Sequence, residues 1–261
     1  GDMDVNERLE YLDREYLSDF DVSDVDIHAN IERQAAFDKP VYETKPYAIT
    51  EDESLEDNTY LSYNAVIGTS VDAKLYLAFQ ILDYALVMTP GAPVKQALLD
   101  AGISTDVYSS YETSLYQPVY SIVAKNSNSK EQDRFVSVIN DTLEKLVKDG
   151  INERTIEAGI NYYEFKYREA DYGPYPKGLM YYLTMMDSWL YDETKPFIHI
   201  EAGDTFDELK KDARNGYFEK LIKEYLLDNN HKSIISLVQS MDLRRKRNRR
   251  KRTSLQSIRA H

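Results

Sequence analysis

The sequence predicts an α+β domain with two layers, in which helices cover a mainly antiparallel sheet. Stretches with apolar residues at helical spacing interleave with stretches that alternate between apolar and polar residues, and two alternating stretches follow each other as a hairpin. At 261 residues and 42% hydrophobic content, the chain is long enough to bury one good core.

Each element follows from these two periodicities together with its capping and breaking residues. From the N-terminus, leucines at helical spacing predict a helix over 6–18, and two prolines favour an extended edge strand within 37–49. The alternation of apolar and polar residues then predicts a strand over 59–68. An apolar run predicts a helix over 72–88, and Pro93 begins the next helix, which ends near Gly102. Further along, alternation predicts two strands that form a hairpin around 115–118. Two helices over 130–149 and 153–170 follow, separated by Gly150 and Asn152, and Pro176 begins a third helix that runs to about 191. We predict two shorter helices between 205 and 227, and the strand KSIISLVQ closes the domain.

The composition divides the chain into a leading helix and extended linker (1–49), a domain (50–240) and a basic tail (241–261). Nine of the 32 Lys and Arg residues lie in the tail, so residues 1–243 hold 45 acidic and 23 basic side chains, a net charge of −22. Such a body repels nucleic acid and attracts cationic partners. We identify no apolar run long enough to cross a bilayer and no signal-peptide pattern, so we expect a cytoplasmic protein without a membrane partner.

Common catalytic motifs are missing from the sequence. The four histidines are scattered, with neither HExxH nor HxxEH, and there is no GxSxG, GxxxxGK[ST] or GxGxxG pattern. Cysteine is absent, which excludes disulfides, thiolate zinc sites and cysteine nucleophiles. We therefore predict no catalytic residue and no metal ligand within this chain.

GPYPKGLMYYLTMMDSWLYD, residues 173–192, is the least generic stretch. A purely structural interpretation makes it a helix begun by Pro176 whose apolar stripe packs into the core. The stripe consists of Leu179, Tyr182, Leu183, Met186 and Leu190.

The same stretch also resembles a known family. "REx…GxxPKGL" followed by "WxYD" is similar to segments in the second domain of the presequence-protease and falcilysin branch of the insulinase (pitrilysin) metallopeptidases. NERLEYLDREYLSDF resembles the linker that leads into that domain. TYLSYNAVIG, LDYALVMTPGAPVKQALLDAGI, the Gln117-Pro118 hairpin and HKSIISLVQ resemble segments of the domain and occur in the same order, so the resemblance spans about residues 4–239. The motif residues, for which the resemblance implies structural roles, are Arg168, Glu169, Gly173, Pro176, Lys177, Gly178, Trp189, Tyr191 and Asp192.

The resemblance implies a fold that repeats the family's catalytic domain without its metal. Where that domain carries HxxEH on a helix, this chain reads Gln80-Ile-Leu-Asp83-Tyr84. Gln80 and Tyr84 are poor zinc ligands, and Asp83 is one methylene shorter than the glutamate that activates water. An ordinary buried helix with a chance similarity is the alternative interpretation of these positions.

The resemblance further implies that the chain is the non-catalytic second domain of a zinc-dependent metalloendopeptidase that degrades peptides in a closed chamber. Zinc belongs to the parent enzyme and no cofactor to this chain. The implied partners are the catalytic domain and the C-terminal half of the same parent chain, together with peptide substrate. A surface normally covered by another domain also leads us to expect self-association of the isolated chain.

The tail RRKRNRRKR, Arg244–Arg252, does not fit the family, in which a Glu- and Lys-rich helix follows. One set of permitted codons for residues 243–260, read from the third base of the Leu243 codon, encodes EKKKEQEKKNELAEYKS. Codon degeneracy favours such a match, yet its end resembles the family linker. We therefore predict that residues from about Leu243 onward are frameshifted and non-native.

A native tail would define a different function. The chain would then be a stand-alone acidic α+β binding module whose basic arm binds nucleic acid or acidic partners. The tail has no aromatic residues for base stacking, so such binding would be salt-sensitive and blind to sequence.

Overall fold

The computed structural model describes residues 3–21, 31–50, 54 and 56–243. These residues form two compact units, 1–32 and 33–261. The predicted frameshift at the tail concerns residues that lie almost wholly outside this described part.

The first unit contains the predicted leading helix. Helix α1 covers Val5–Leu12, and one wider turn, Asp13–Leu17, continues it. The Asp4 carboxylate caps the helix by accepting hydrogen bonds from the backbone N–H groups of Asn6 (2.9 Å) and Glu7 (3.4 Å). Its apolar side chains are exposed within this unit.

The second unit is built on a five-stranded mixed sheet, which confirms the predicted α+β class. In chain order the strands are β1 (Val41–Ala48), β2 (Thr59–Val66), β3 (Asp106–Glu112), β4 (Val119–Ser127) and β5 (Lys232–Ser240). They lie in the order β1-β5-β2-β4-β3, and only the β1–β5 pair is parallel. The sheet is therefore mainly antiparallel, as predicted.

β1 lies at an edge of the sheet, as the two prolines within 37–49 suggested, but the strand is not part of a linker. All eight of its residues pair with β5, from Val41 opposite Ser233 to Ala48 opposite Ser240. The sheet thus begins before the predicted domain start at residue 50, and the compact unit begins at residue 33. The alternation of 37–49 predicts a strand but contains no information about a partner almost two hundred residues away.

Seven helices belong to this unit, among the described residues. They are α2 (Ala73–Asp83), α3 (Pro93–Asp100), α4 (Gln132–Asp149), α5 (Glu153–Glu169), α6 (Lys177–Trp189), α7 (Gly203–Asp212) and α8 (Tyr217–Leu221). Wider turns extend α2 to Met88 and α8 to Leu227. The predicted elements are all present, with ends shifted by a few residues.

The core lies between the helices and one face of the sheet. On β2, every second residue is buried, including Leu61, Tyr63 and Ala65, and these pack with α2 and the end of α8. The residues in between remain partly exposed. We expected no apolar run long enough to cross a bilayer, but the helical segment Ala73–Asp100 is long and apolar enough to do so. In its most apolar stretch of 18 residues, 61% is buried inside the protein, as in the core helix of a domain.

Candidate functional site

The three positions that we aligned with the zinc motif of the family, Gln80, Asp83 and Tyr84, lie on one face of α2, since they are spaced i, i+3 and i+4. Asp83 is buried, whereas Gln80 and Tyr84 are half-buried. The Asp83 Oδ1 atom accepts a hydrogen bond from the Tyr120 hydroxyl of β4 at 3.1 Å. This carboxyl group therefore points towards the sheet and already has a partner inside the domain.

Burial raises the pKa of Asp83, and hydrogen bonds from Ser109 and Tyr120 only partly oppose that rise. The charged carboxylate is thereby disfavoured relative to a solvated aspartate. Burial, followed by the negative charge of Asp83, also raises the pKa of the neighbouring Tyr163. A base that activates water must itself accept the proton, so it must be ionised and in contact with that water. The buried Asp83 carboxyl group, bonded to Tyr120, is instead arranged for a structural hydrogen bond.

Helix α5 closes the other side of the motif. The Tyr162 ring stacks on the Tyr84 ring with centroids 5.1 Å apart. Gly159 lets the two helices approach closely, because a Cβ atom there would lie 3.1 Å from Cδ1 of Tyr84 and 3.2 Å from Cγ2 of Ile81. Tyr84 thus supplies packing area to the contact between the two helices.

These residues do not fit a zinc ion. An amide, a buried carboxyl group held by a tyrosine and a stacked phenol replace the two imidazoles and the glutamate of the family motif. Within the described part of the chain, no group of three or more metal-binding side chains comes together elsewhere either.

The family-motif residues build the connection between α5 and α6. Arg168 bonds Glu164 on α5 through Nε (3.1 Å) and Nη2 (2.7 Å). Lys177 Nζ donates to the carbonyl of Glu169 at 3.1 Å, which ties the first turn of α6 to the last turn of α5. The chain between them turns through Gly173, whose φ is +58°.

The remaining motif residues lie at the two ends of α6. Pro176 precedes the first helical residue, and Gly178 occupies an open position in the first turn. At the other end, the Tyr191 hydroxyl donates to the carbonyl of Ser114 at 2.8 Å, and the Asp192 carboxylate accepts from the backbone N–H of Thr194 at 3.0 Å. Trp189 is the last residue of α6 and is partly exposed.

The purely structural interpretation, in which the stripe of α6 packs into the core, does not describe the structure, where only Met186 of the five side chains is half-buried. Leu179, Leu183 and Leu190 are 48%, 50% and 62% exposed, and Tyr182 is also exposed. Only Ser188 is buried in this helix. Helical periodicity shows that a helix has an apolar face but cannot say what covers that face.

A polar cluster that the sequence analysis missed anchors α6 to the core. The Asp187 carboxylate accepts hydrogen bonds from the hydroxyls of Tyr76 on α2 (2.9 Å) and Thr113 after β3 (3.4 Å). The ring of His199 stacks on Tyr76 at 3.9 Å, and its Nε2 lies 2.8 Å from the carbonyl of Ser70. Asp187 is the one acidic residue of a mostly apolar helix and lies in its last turn, a signal that could have identified this contact.

Burial shifts both titratable groups of this cluster towards their neutral forms. It raises the pKa of Asp187 and lowers the pKa of His199. Because Nε2 must donate to the carbonyl of Ser70, Nδ1 carries no proton, and this buried atom has no partner among the described residues.

The second uncovered surface is the outer side of the sheet, which we call the open sheet face. Its centre is a hydrogen-bond network around Asn64, which accepts from the Ser121 hydroxyl (2.8 Å) and donates to the Ser233 carbonyl (3.1 Å). Apolar residues surround the network, so the face combines polar and apolar groups. Its partly exposed members on the three central strands are Tyr60, Ser62, Asn64, Val66, Val119, Ser121, Val123, Ser233, Ile235 and Leu237.

Two related proteins match this chain over more than nine tenths of its own length. It is 38% identical to protein HypA of Clostridium perfringens over 99% of this chain and 26% of that protein. It is 30% identical to presequence protease 1 of Arabidopsis thaliana over 91% of this chain and 22% of that protein. The chain therefore spans about a quarter of the length of these relatives.

Solved structures share the fold. The periplasmic protease PqqL of Escherichia coli superposes with a TM-score of 0.61 at 13% identity, over 90% of this chain and 24% of that one. A protease from Helicobacter pylori gives 0.60 at 12% identity, over 91% and 53% of the two chains. The model of the peptidase M16 inactive domain matches residues 1–163 of the 261. The chain therefore belongs to the peptidase M16 (insulinase) family of zinc metallopeptidases, and the part it matches is the inactive domain.

Proposed function

We propose that the chain is the non-catalytic second domain of a longer zinc metalloendopeptidase, where it walls a chamber that degrades peptides and holds the catalytic domain. The observation that carries the proposal is the state of the zinc-motif positions, at which Asp83 is buried against Tyr120 and Tyr84 is stacked on Tyr162. The helix keeps its place in the core but has no groups that would bind zinc. In this proposal the zinc belongs to another domain of the parent.

The length of the relatives supports a role within a larger polypeptide. About three quarters of HypA and of presequence protease 1 lie outside the region that this chain matches. A domain that has lost its metal ligands can still contribute surface and stability to such a protein. Peptide binding is the property that the name of presequence protease 1 suggests for the parent.

The open sheet face suits contact with peptide. It offers backbone-like donors and acceptors on Asn64, Ser121 and Ser233, beside the apolar Val123 and Ile235. A surface that mixes polar and apolar groups accepts many sequences without selecting one. We assign this face to the chamber side of the domain.

The test of catalytic silence measures zinc and peptide cleavage on the same preparation of the 261-residue chain. We expect less than one tenth of an equivalent of zinc after gel filtration and no chelator-sensitive cleavage of an unstructured peptide. Arabidopsis presequence protease 1 serves as the control that the assay detects cleavage, and circular dichroism verifies the fold of the chain. Stoichiometric zinc together with chelator-sensitive cleavage would overturn the proposal.

A further inference from the structure

Helix α6 projects an apolar stripe away from the domain to which it belongs. It packs weakly against the other helices and strands, and the leucines of its stripe are about half exposed. Tyr175 before the helix and Phe197 after it are exposed as well. Contiguous apolar surface of this kind commonly marks a site of interaction.

The stripe carries no charge of its own. The only charged residues of α6 are Lys177 and Asp187. Lys177 donates to the carbonyl of Glu169, and Asp187 accepts from Tyr76, so both are engaged within the domain. A partner of the stripe must therefore be apolar as well, since a charged partner would lose water without gaining a counter-charge.

The ends of the helix are fixed, which makes the stripe a preorganised surface. Ser188 donates to the carbonyl of Lys195 at 2.6 Å, and Tyr191 stacks on Tyr116 with centroids 4.9 Å apart. A helix held at both ends loses little conformational entropy when its exposed face is covered. Simple fraying of α6 is thus a poor explanation of its exposure.

Two occupants within reach of this chain fit badly. Residues 244–252 hold eight basic side chains in nine positions, which an uncharged apolar stripe does not attract. A second copy would bring together two chains that each carry a formal net charge of −13, whose mutual repulsion opposes association. The relatives, by contrast, are about four times longer than this chain and provide further domains.

We propose that the stripe of α6 is the surface through which this domain holds the zinc-bearing domain of its parent polypeptide, by docking onto an apolar, uncharged face of that domain. The inference rests on the proposed function and adds the surface to it. The stripe and the open sheet face then have separate tasks: the first binds the neighbouring domain, and the second faces peptide.

The test titrates the 261-residue chain against the part of the parent polypeptide that carries the zinc motif, produced as a separate chain. Leu183→Asp places a charge in the middle of the stripe, and Leu237→Asp places the same charge on the open sheet face, where Leu237 is similarly exposed. We expect Leu183→Asp to weaken the dissociation constant at least tenfold and Leu237→Asp to change it less than threefold. Circular dichroism and thermal melting confirm that both variants fold, and Leu183→Ser replaces Leu183→Asp if the latter does not.

The outcomes separate the inference from the proposed function. If the wild-type chain binds and only Leu237→Asp weakens binding, the docking surface is the sheet and the inference fails while the proposed function stands. If Leu183→Asp instead converts a dimer of the chain to a monomer without any heterologous binding, the occupant is a second copy and the inference is overturned. If the folded wild-type chain shows no binding at all, the proposed function fails with it.

Discussion

His199 is a buried residue whose protonation changes in the range between pH 7 and pH 5. It lies between Tyr76 and the carbonyl of Ser70, and burial lowers its pKa. Since the folded state favours the neutral ring, this residue contributes stability above the pKa of about 6.5 that it has in the unfolded chain. That contribution is lost as the pH falls from about 6.5 towards the lower pKa of the folded state.

We therefore expect the free energy of unfolding to fall between pH 7 and pH 5, and a His199→Phe variant to lose this part of the pH dependence. Phenylalanine keeps a ring on Tyr76 but does not titrate. The difference in slope between the two proteins should approach, and not exceed, about 1.4 kcal/mol per pH unit, the value for one proton. Urea unfolding at several pH values measures it, and equal slopes would show that the pKa of His199 is the same in the folded and the unfolded state.

Asp83 should respond to pH in the opposite direction. Burial raises its pKa, so the folded state favours the protonated carboxyl and gains relative stability as the pH falls through that pKa. Asp83→Asn keeps an acceptor for Tyr120 and removes the buried charge. We expect the variant to be at least as stable as the wild type at pH 7 and to lose this relative advantage by pH 4. Urea unfolding at both pH values measures the free energy of unfolding. A variant that is several kcal/mol less stable at pH 7 would show that the charge of Asp83 is needed.

For single residues, the assignment of a degenerate zinc motif stays a prediction, and the environment of its side chains could not be predicted. Gln80, Asp83 and Tyr84 could be aligned with HxxEH because they share a helical spacing. That Tyr120 binds Asp83 and Tyr162 stacks on Tyr84 depends on which elements meet in three dimensions, and no local pattern contains that information. The cluster of His199, Tyr76 and Asp187 escaped prediction for the same reason.

The contact between α2 and α5 depends on a glycine at the crossing. A leucine at Gly159 would collide with Tyr84 and Ile81, and forcing extra atoms into such a contact costs about 1–3 kcal/mol. Gly178 in α6 has open space at its Cβ position, so leucine there should gain up to about 1 kcal/mol from helix propensity. Thermal and urea unfolding of Gly159→Leu and Gly178→Leu compare the two sites, and equal effects would mean that the helices do not cross as closely as described.

The exposure of α6 leads to a second comparison between matched residues. Leu82 on α2 is buried in the core, and truncation to alanine should cost about 2–5 kcal/mol. Leu183 on α6 is half exposed, and its truncation should cost less than about 1 kcal/mol, as is usual for surface positions. Urea unfolding of Leu82→Ala and Leu183→Ala measures the loss in free energy of unfolding. Similar losses for the two variants would show that Leu183 is buried in the core and that the stripe of α6 is not exposed.

Elements with a clear periodicity were predicted well, whereas their partners were not. The alternation of 59–68 gave β2 and the apolar run of 72–88 gave α2, because burial of one face dictates such patterns locally. The parallel pairing of β1 with β5 joins residues far apart in the chain, and the stripe of α6 faces outward although its pattern is that of a core helix. Both features depend on contacts with other parts of the chain, or with other domains, that the local sequence does not contain.

As a whole, the molecule combines an intact core with two uncovered surfaces. The core between helices and sheet explains why a domain without metal ligands is retained as a folded unit. We propose that the open sheet face contacts peptide and that the stripe of α6 binds a neighbouring domain. The frameshift prediction for the tail, whose residues lie beyond the described ranges after Leu243, stays a prediction.

The central claim is that this chain is a silent domain of a longer zinc peptidase, and sequencing the coding DNA on both sides of it tests this most directly. We expect an open frame that encodes an HxxEH-bearing domain ahead of residue 1, and a second frame after the Leu243 codon that continues as a Glu- and Lys-rich helix. A gene that starts at this domain and stops after His261 in its own frame, with no zinc motif nearby, would contradict the account. It would also make the acidic binding module with a basic arm the function to pursue.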